Sequence, residues 1–276
     1  MVHAGWLTLP MEHTSAPDAE AARRLGLARA RRWWVSGRRV RSIERATSFV
    51  NDVGFALLFP TPRVLAPSLW EAVTGEDVDP FEAGMGTDEQ KVWTWKDELP
   101  RRGFAWYGAF IAGRGSFLSP ALLAALYPGE GTIHDHEALP VSETAHEIAR
   151  ALDEEPLPSA TLRALIGDRN RYQRGVAELQ RRLLVTTAGV HENRAGWPSA
   201  VLELTCRRFD VGGRYDPSIA TECFIDTLLQ VTPADLARAF GWPLATARAR
   251  LDGLVDTGRA RSDGASYLTR PDDGAG

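Results

Sequence analysis

The sequence predicts a mainly α-helical fold with small β-wings, of the α+β class. Two observations carry this, and the first lies near the C-terminus. Ser218–Leu229 reads as a helix, and Thr232–Phe240 as a second with Thr232 as cap, Pro233 at the first helical position and Asp235 in the first turn. Gly241-Trp242 makes a tight turn, and Leu244–Asp256 is a third helix with Leu244, Ala247, Leu251 and Leu254 inward and Gly258 as its stop. Arg259–Arg261 and Ser266–Thr269 then flank Asp263-Gly264, a hairpin signal. The second observation is that this order recurs. Ser142–Leu152, Ser159–Ile166 and Arg171–Leu183 read as three helices, followed by a β-like run at Leu184–Gly189. Helix, short helix, recognition-type helix and strand, met twice, suggest tandem winged-helix units.

The rest of the chain is less regular. Ala16–Val35 and Arg39–Val53 read as helices, the second with Ile43, Ala46, Phe49 and Val50 on one face. Phe55–Phe59 is a short apolar run, either a buried strand or the end of that helix. Pro67–Val73 and Pro120–Leu126 are helix candidates, Phe104–Ala112 is a weak strand, and Gly113-Arg114-Gly115 is a turn signal. Residues 75–87 and 129–138 read as loops, and residues 1–16 show no periodicity.

Charge is distributed unevenly although the net value is only −4. From Arg23 to Arg45 there are nine arginines and one acid, whereas Glu71 to Glu98 holds nine acids and the only two lysines, Lys91 and Lys96. Arg in place of Lys with abundant Ala fits a GC-rich coding bias, but a bias does not cluster charge. A basic stripe holds phosphates even on an acidic protein, because its field decays within a Debye length of about 10 Å. No apolar run is long enough for a membrane span, and Met1–Pro10 lacks the pattern of a signal peptide. Cys206 and Cys223 read as buried free thiols.

Candidate DNA contacts are set by where the arginines fall. They are Arg31, Arg38, Arg39, Arg41 and Arg45 on the N-terminal stripe, Arg171, Arg174 and Arg182 on the middle unit, and Arg248, Arg250 and Arg259 on the last. Arg171, Arg174 and Arg182 fall on one helical face, with Arg181 off it. Trp33-Trp34 beside the stripe are either stacking platforms or core anchors. Asn51-Asp52 lies next to the stripe, where a carboxylate is unfavourable for phosphate. It is either a helix terminator or a group that orients a water for attack on a sugar carbon. His134-Asp135-His136-Glu137 fits no zinc spacing and reads as an exposed loop, so no metal is expected. No Walker loop or dinucleotide fingerprint is present, and no cofactor is expected.

Taken with the Arg-rich opening helix, "ATSFVNDVGFALLF", "LPVSETAHEIARALDEEPLPSATLRALIG", "VAELQRRLLVTTAGV" and the C-terminal unit, the chain resembles the AlkZ/YcaQ-like tandem winged-helix family, crosslink-repair DNA glycosylases and their degenerate relatives. The resemblance runs from about Arg23 to Thr269. It implies three winged-helix units around a concave basic channel, and hydrolysis of the N-glycosidic bond of alkylated purines. The family's catalytic element is a Gln-x-Gln or Gln-x-Asp pair following the early helix. In Phe49-Val50-Asn51-Asp52-Val53, Asp52 falls at the second position only with Val50 at the first, and Asn51 at the first only with Val53 at the second. Neither register keeps the pair.

These readings divide the chain at 17–128, 139–215 and 216–270, the first unit with an inserted Trp-rich segment. They give a double-stranded-DNA-binding protein without an intact catalytic pair, soluble in the cytoplasm at the nucleoid. One alternative is an active monofunctional glycosylase with Asp52 and Asn51 as its catalytic groups. Another is an interaction or ligand-binding module whose Trp93, Trp95, Trp106 and Tyr107 line a pocket.

Overall fold

The computed structural model describes residues 16–75, 85–192 and 198–270. Helix α1 (Ala16–Arg32) precedes a set made of α2 (Ile43–Val53), β1 (Phe55–Leu57), α3 (Leu69–Thr74), α4 (Thr87–Arg101), β2 (Trp106–Ala109) and β3 (Gly115–Leu118). After α5 (Pro120–Leu126) and α6 (Asp135–Ala138) comes a second set: α7 (Glu143–Ala151), β4 (Leu157–Pro158), α8 (Ser159–Ile166), α9 (Arg169–Arg181), β5 (Val185–His191) and β6 (Ser199–Leu204). Following α10 (Thr205–Arg208), the third set is α11 (Pro217–Leu228), β7 (Gln230–Val231), α12 (Pro233–Phe240), α13 (Leu244–Asp256), β8 (Ala260–Ser262) and β9 (Tyr267–Thr269). Each set runs helix, strand, helix, helix, strand, strand. Each makes a three-stranded antiparallel sheet in which the last strand lies in the middle: β1-β3-β2, β4-β6-β5 and β7-β9-β8.

Local chemistry explains the clearest boundaries. The Thr232 hydroxyl accepts from Asp235 N while the Asp235 carboxylate takes Thr232 N, a reciprocal cap that satisfies two orphan donors of α12. Ser142 caps α7 by accepting from Ala145 N. In the hairpin, Asp263 accepts from Ala265 N and Ser266 N, and Gly264 takes φ +89°. Gly54 ends α2 at φ +77°, where a Cβ would stand 2.1 Å from Cys223 Sγ, so any other residue would be strained and would have to displace Cys223. The same packing pushes the Cys223 thiol up to about 12 through burial.

The sets share a core. Phe55 of β1 stacks on Phe224 of α11 at 5.5 Å, and Phe224 meets Phe240 of α12 edge-on at 5.5 Å. The first and third sets therefore bury aromatic surface against each other. Tyr107 N donates to Thr186 Oγ1 at 3.2 Å and joins the first set to the middle one, and Trp106 Nε1 donates to Thr205 Oγ1 of α10 at 3.1 Å. A smaller cluster, with Trp34, Phe49, Trp70 and Phe117, fills the first set alone. No helix among the described residues is long and apolar enough to cross a membrane.

Phe55–Leu57 is a strand, one of the two readings left open for that run, and the acidic Trp-bearing stretch is helix α4. Trp106 and Trp95 are core residues, Tyr107 lies against Phe117 and Trp93 is exposed, and none of the four lines the cleft where the three sets meet. The 134–137 stretch is not an exposed loop. Asp135 and His136 are buried, because the Asp135 carboxylate gathers the backbone N–H groups of the preceding turn and carries its neighbour inward.

His136 has neither ring nitrogen hydrogen-bonded. Its Nε2 lies 3.9 Å from Asp153, and its ring meets that of His146 at 5.7 Å. Burial holds its pKa below the ordinary histidine value, outweighing the pull of Asp153. The unfolded chain therefore binds a proton that the folded chain refuses. Stability is expected to fall as pH drops through about 6.5, the unfolded value, and to keep falling until the lower folded value is reached. Urea unfolding at pH 7.5 and 5.5 checks this: the loss should shrink in His136→Gln, and an equal loss in both proteins would assign it elsewhere.

Candidate nucleic-acid interface

The arginines from Arg29 to Arg45 separate into three groups. Arg29 donates to the carbonyls of Leu228 and Gln230 at 2.8 Å each, and Arg32 donates to the carbonyls of Asp226 and Asp52, so both cap neighbouring chain ends. Arg39 is likewise bonded to the Thr74 carbonyl at the end of α3. Arg38 and Arg45 instead lie over the Trp34 ring, at 5.1 and 4.6 Å from its centroid. Arg31 and Arg41 are exposed, with no ion pair among the described residues. Trp33 and Trp34 are both buried, which makes them anchors; Trp33 Nε1 donates to the Thr227 carbonyl at 2.7 Å.

Asp52 sits in the last turn of α2 with its carboxylate occupied. Its Oδ2 accepts from Trp34 Nε1 at 2.6 Å and from Arg38 at 3.3 Å, and its Oδ1 pairs with Arg32 at 3.2 Å. Three donors hold this carboxylate in place, and they join α1, the Trp34 turn and α2. Asn51 is exposed beside it. The whole stretch Phe49–Val53 lies within α2. Beyond Gly54 the chain runs Phe55-Ala56-Leu57-Leu58-Phe59, without an amide or carboxylate side chain, and the first four of these residues are buried.

A concave feature lies elsewhere. A cleft of about 940 Å³ opens where the three sets meet. Arg63 reaches it from the chain after β1, and Phe110, Ala112 and Gly113 from the β2–β3 tip. Arg181 and Arg182 enter from the end of α9, Tyr215 from the chain before α11, and Arg238, Phe240 and Trp242 from the α12–α13 turn. Ala112 takes φ +49°, a strained value for a residue with a Cβ, held by Gly113 N donating to Phe110 O and by the edge contact of Phe110 with Phe240. The one acid in the lining, Glu178, is spent on Ser142, whose N and Oγ donate to it at 3.0 and 2.6 Å. Positive charge therefore dominates a concave, partly aromatic surface.

Of the predicted contacts only Arg182 lines this cleft, and it also donates to the Pro140 carbonyl. Arg171 is turned onto Thr144 and Glu147, Arg250 stacks on Trp242 at 4.6 Å, and Arg259 pairs with Glu222 at 2.6 Å. Arg174 and Arg248 are exposed. Arg181 points the opposite way to the expectation. It shares the solvent face of α9 with Arg174, since the two are seven residues apart and inward-facing Tyr172, Gly175 and Leu179 lie across the helix. Sequence reading does not find Arg63, Phe110 or Tyr215. The turn signals at Gly113 and Gly241 mark two walls of the cleft without showing that they meet. Among the described residues no group of His, Cys, Asp and Glu is disposed to hold a metal.

Helix pairs and small antiparallel sheets gathered around a basic cleft define a mixed α/β protein of mostly helical content. The chain belongs to the AlkZ-related family, whose model matches residues 40–239. Among solved structures it is similar to the Streptomyces sahachiroi DNA glycosylase AlkZ, with 16% identity, a TM-score of 0.55, and coverage of 90% of this chain and 69% of that one. At that identity the likeness is one of fold. No curated protein sequence matches the chain.

Proposed function

We propose that the chain is a DNA-binding protein of three tandem winged-helix units, at residues 17–128, 139–215 and 216–270, that engages double-stranded DNA without excising bases. The observation that carries this is the cleft, where four arginines and four aromatic side chains face one acid that is already bonded. Arginines in a concavity hold phosphates, and aromatic side chains give the adjoining sugars and bases an apolar surface. The repeated strand order, the family membership and the fold shared with a DNA glycosylase support the same reading. Absence of base excision is supported by Phe49–Val53, which keeps the Gln-bearing pair in neither register, by the segment after α2, which carries no amide or carboxylate, and by Asp52, whose carboxylate is held by Trp34, Arg38 and Arg32. Such a protein works at the nucleoid in the cytoplasm.

Binding to a random-sequence duplex, followed by fluorescence anisotropy, tests this. Four phosphate contacts predict a log–log salt slope of about −3.6 and a fall in affinity of about a hundredfold between 50 and 200 mM salt. Alkylated duplex should release no 7-methylguanine. A salt-independent or absent signal removes the DNA reading, and release abolished by Asp52→Ala restores the glycosylase alternative.

A further inference from the structure

The third helix of each set occupies the place that enters the groove in a helix-turn-helix protein. The three differ in what they present. Helix α4 opens on Asp88 and Glu89, and it packs against β5 of the middle set. On α13, Arg250 is laid over Trp242 and Asp252 takes the Tyr267 hydroxyl, which leaves Arg248 as its exposed arginine.

Helix α9 is of another kind. Its inward face is Tyr172, Gly175 and Leu179, and Gly175 sits so close to α7 that a Cβ would stand 2.8 Å from Ile148 Cδ1. At about 100° per residue the opposite face carries Asn170, Gln173, Arg174, Ala177 and Arg181. Asn170, Gln173 and Arg174 are exposed, and their side chains make no hydrogen bond or ion pair among the described residues. The flanking arginines are engaged, Arg171 with Thr144 and Arg182 with the Pro140 carbonyl. Asp168 caps the helix start by accepting from Arg171 N, which keeps a phosphate off that end and leaves recognition to side chains further along. Ala177, small and midway along the face, lets a partner approach closely.

Two amides and a guanidinium on one face, each with unused donors, match the edges that the major groove displays. Asn or Gln pairs with adenine N6 and N7, and Arg with guanine O6 and N7. Arg181 lies two turns on from Arg174, about 10.5 Å along the axis, and lines the cleft, so this face and the cleft form one surface. We infer that α9 is the base-reading helix of the protein, with Asn170, Gln173 and Arg174 on base edges of duplex DNA while Arg181 and the cleft hold the backbone. This rests on the DNA-binding reading above.

Selection from a pool of duplexes with a random core of about 20 base pairs, at 150 mM salt, tests it. The wild-type chain should enrich a short motif. Asn170→Ala/Gln173→Ala should lose that enrichment while binding random duplex at 50 mM salt within about twofold of wild type. Arg174→Ala should relax one position and weaken the motif by about 10- to 100-fold. These side chains are exposed, and circular dichroism checks that the variants fold. Duplex binding without any enriched motif, or the same motif kept by the double variant, overturns the assignment to α9 and leaves DNA binding standing. A motif lost in Arg248→Ala but kept in the α9 variants would place the reader on α13. Failure of the wild type to bind any duplex at 50 mM salt overturns both readings.

Discussion

Replacing Arg63, Arg181 and Arg238 together with alanine is expected to weaken duplex binding about 500-fold in 0.1 M salt and to flatten the log–log salt slope by about 2.7. Each arginine that neutralises a phosphate releases a condensed counterion, worth about 0.9 in the slope. The three come from the chain after β1, the end of α9 and the end of α12, so a single bound duplex is needed for all three to matter at once. None supports the fold strongly: the strongest bond among them is a 3.9 Å approach of Arg238 to the partly exposed Asp235. The triple variant should therefore melt within a few degrees of wild type. Replacing Arg150, Arg163 and Arg214, which do not line the cleft, changes net charge equally and should leave the slope nearly unchanged. Equal losses from both triple variants would mean that DNA senses overall charge, and the cleft would have no special part.

How much of this is legible in the sequence depends on how far apart the cooperating residues lie. The third set reads almost residue by residue, because the Thr232–Asp235 cap, the Gly241 turn and the Asp263-Gly264 hairpin are each settled within four residues. Helix α4 does not, because Trp93, Trp95 and the acids obey no simple amphipathic pattern when one side packs on α3 and another on β5. The stripe from Arg23 to Arg45 is visible as charge, but not which of its members cap helix ends. That depends on carbonyls such as Leu228 O, nearly two hundred residues away. The cleft is the extreme case. It joins Arg63, Phe110, Arg181, Tyr215 and Trp242 through the packing of Phe55 on Phe224 and of Phe110 on Phe240. No local pattern encodes that meeting.

Asp135→Ala is expected to destabilise the protein by about 4 kcal/mol, or roughly 10 °C in melting temperature. One buried carboxylate serves five donors. Its Oδ2 accepts from the Tyr127 hydroxyl at 2.8 Å, Gly131 N at 2.9 Å and Thr132 N at 3.0 Å; its Oδ1 accepts from Thr132 Oγ1 at 2.9 Å and Glu130 N at 3.1 Å. Burial by itself would raise the pKa of this group, but the donors outweigh it and hold the carboxyl below its ordinary value. Its contribution is thus present above the unfolded value of about 3.9 and is lost as pH falls through the lower folded value. Alanine strands the Tyr127 hydroxyl inside the core and leaves three backbone N–H groups without their acceptor. The cost is more than that of one hydrogen bond, because unsatisfied buried donors forfeit their hydration as well. The knot also positions Pro128 of the cleft and the chain that Gly131 packs against Val211, where a Cβ would stand 2.1 Å from the carbonyl oxygen. Asp135→Asn keeps the shape and one acceptor oxygen, so it should recover part of the loss. Thermal denaturation at pH 7 separates the cases. An Asp135→Ala protein within about 2 °C of wild type would mean that water replaces the carboxylate, and that the 127–135 turn is held by its backbone alone.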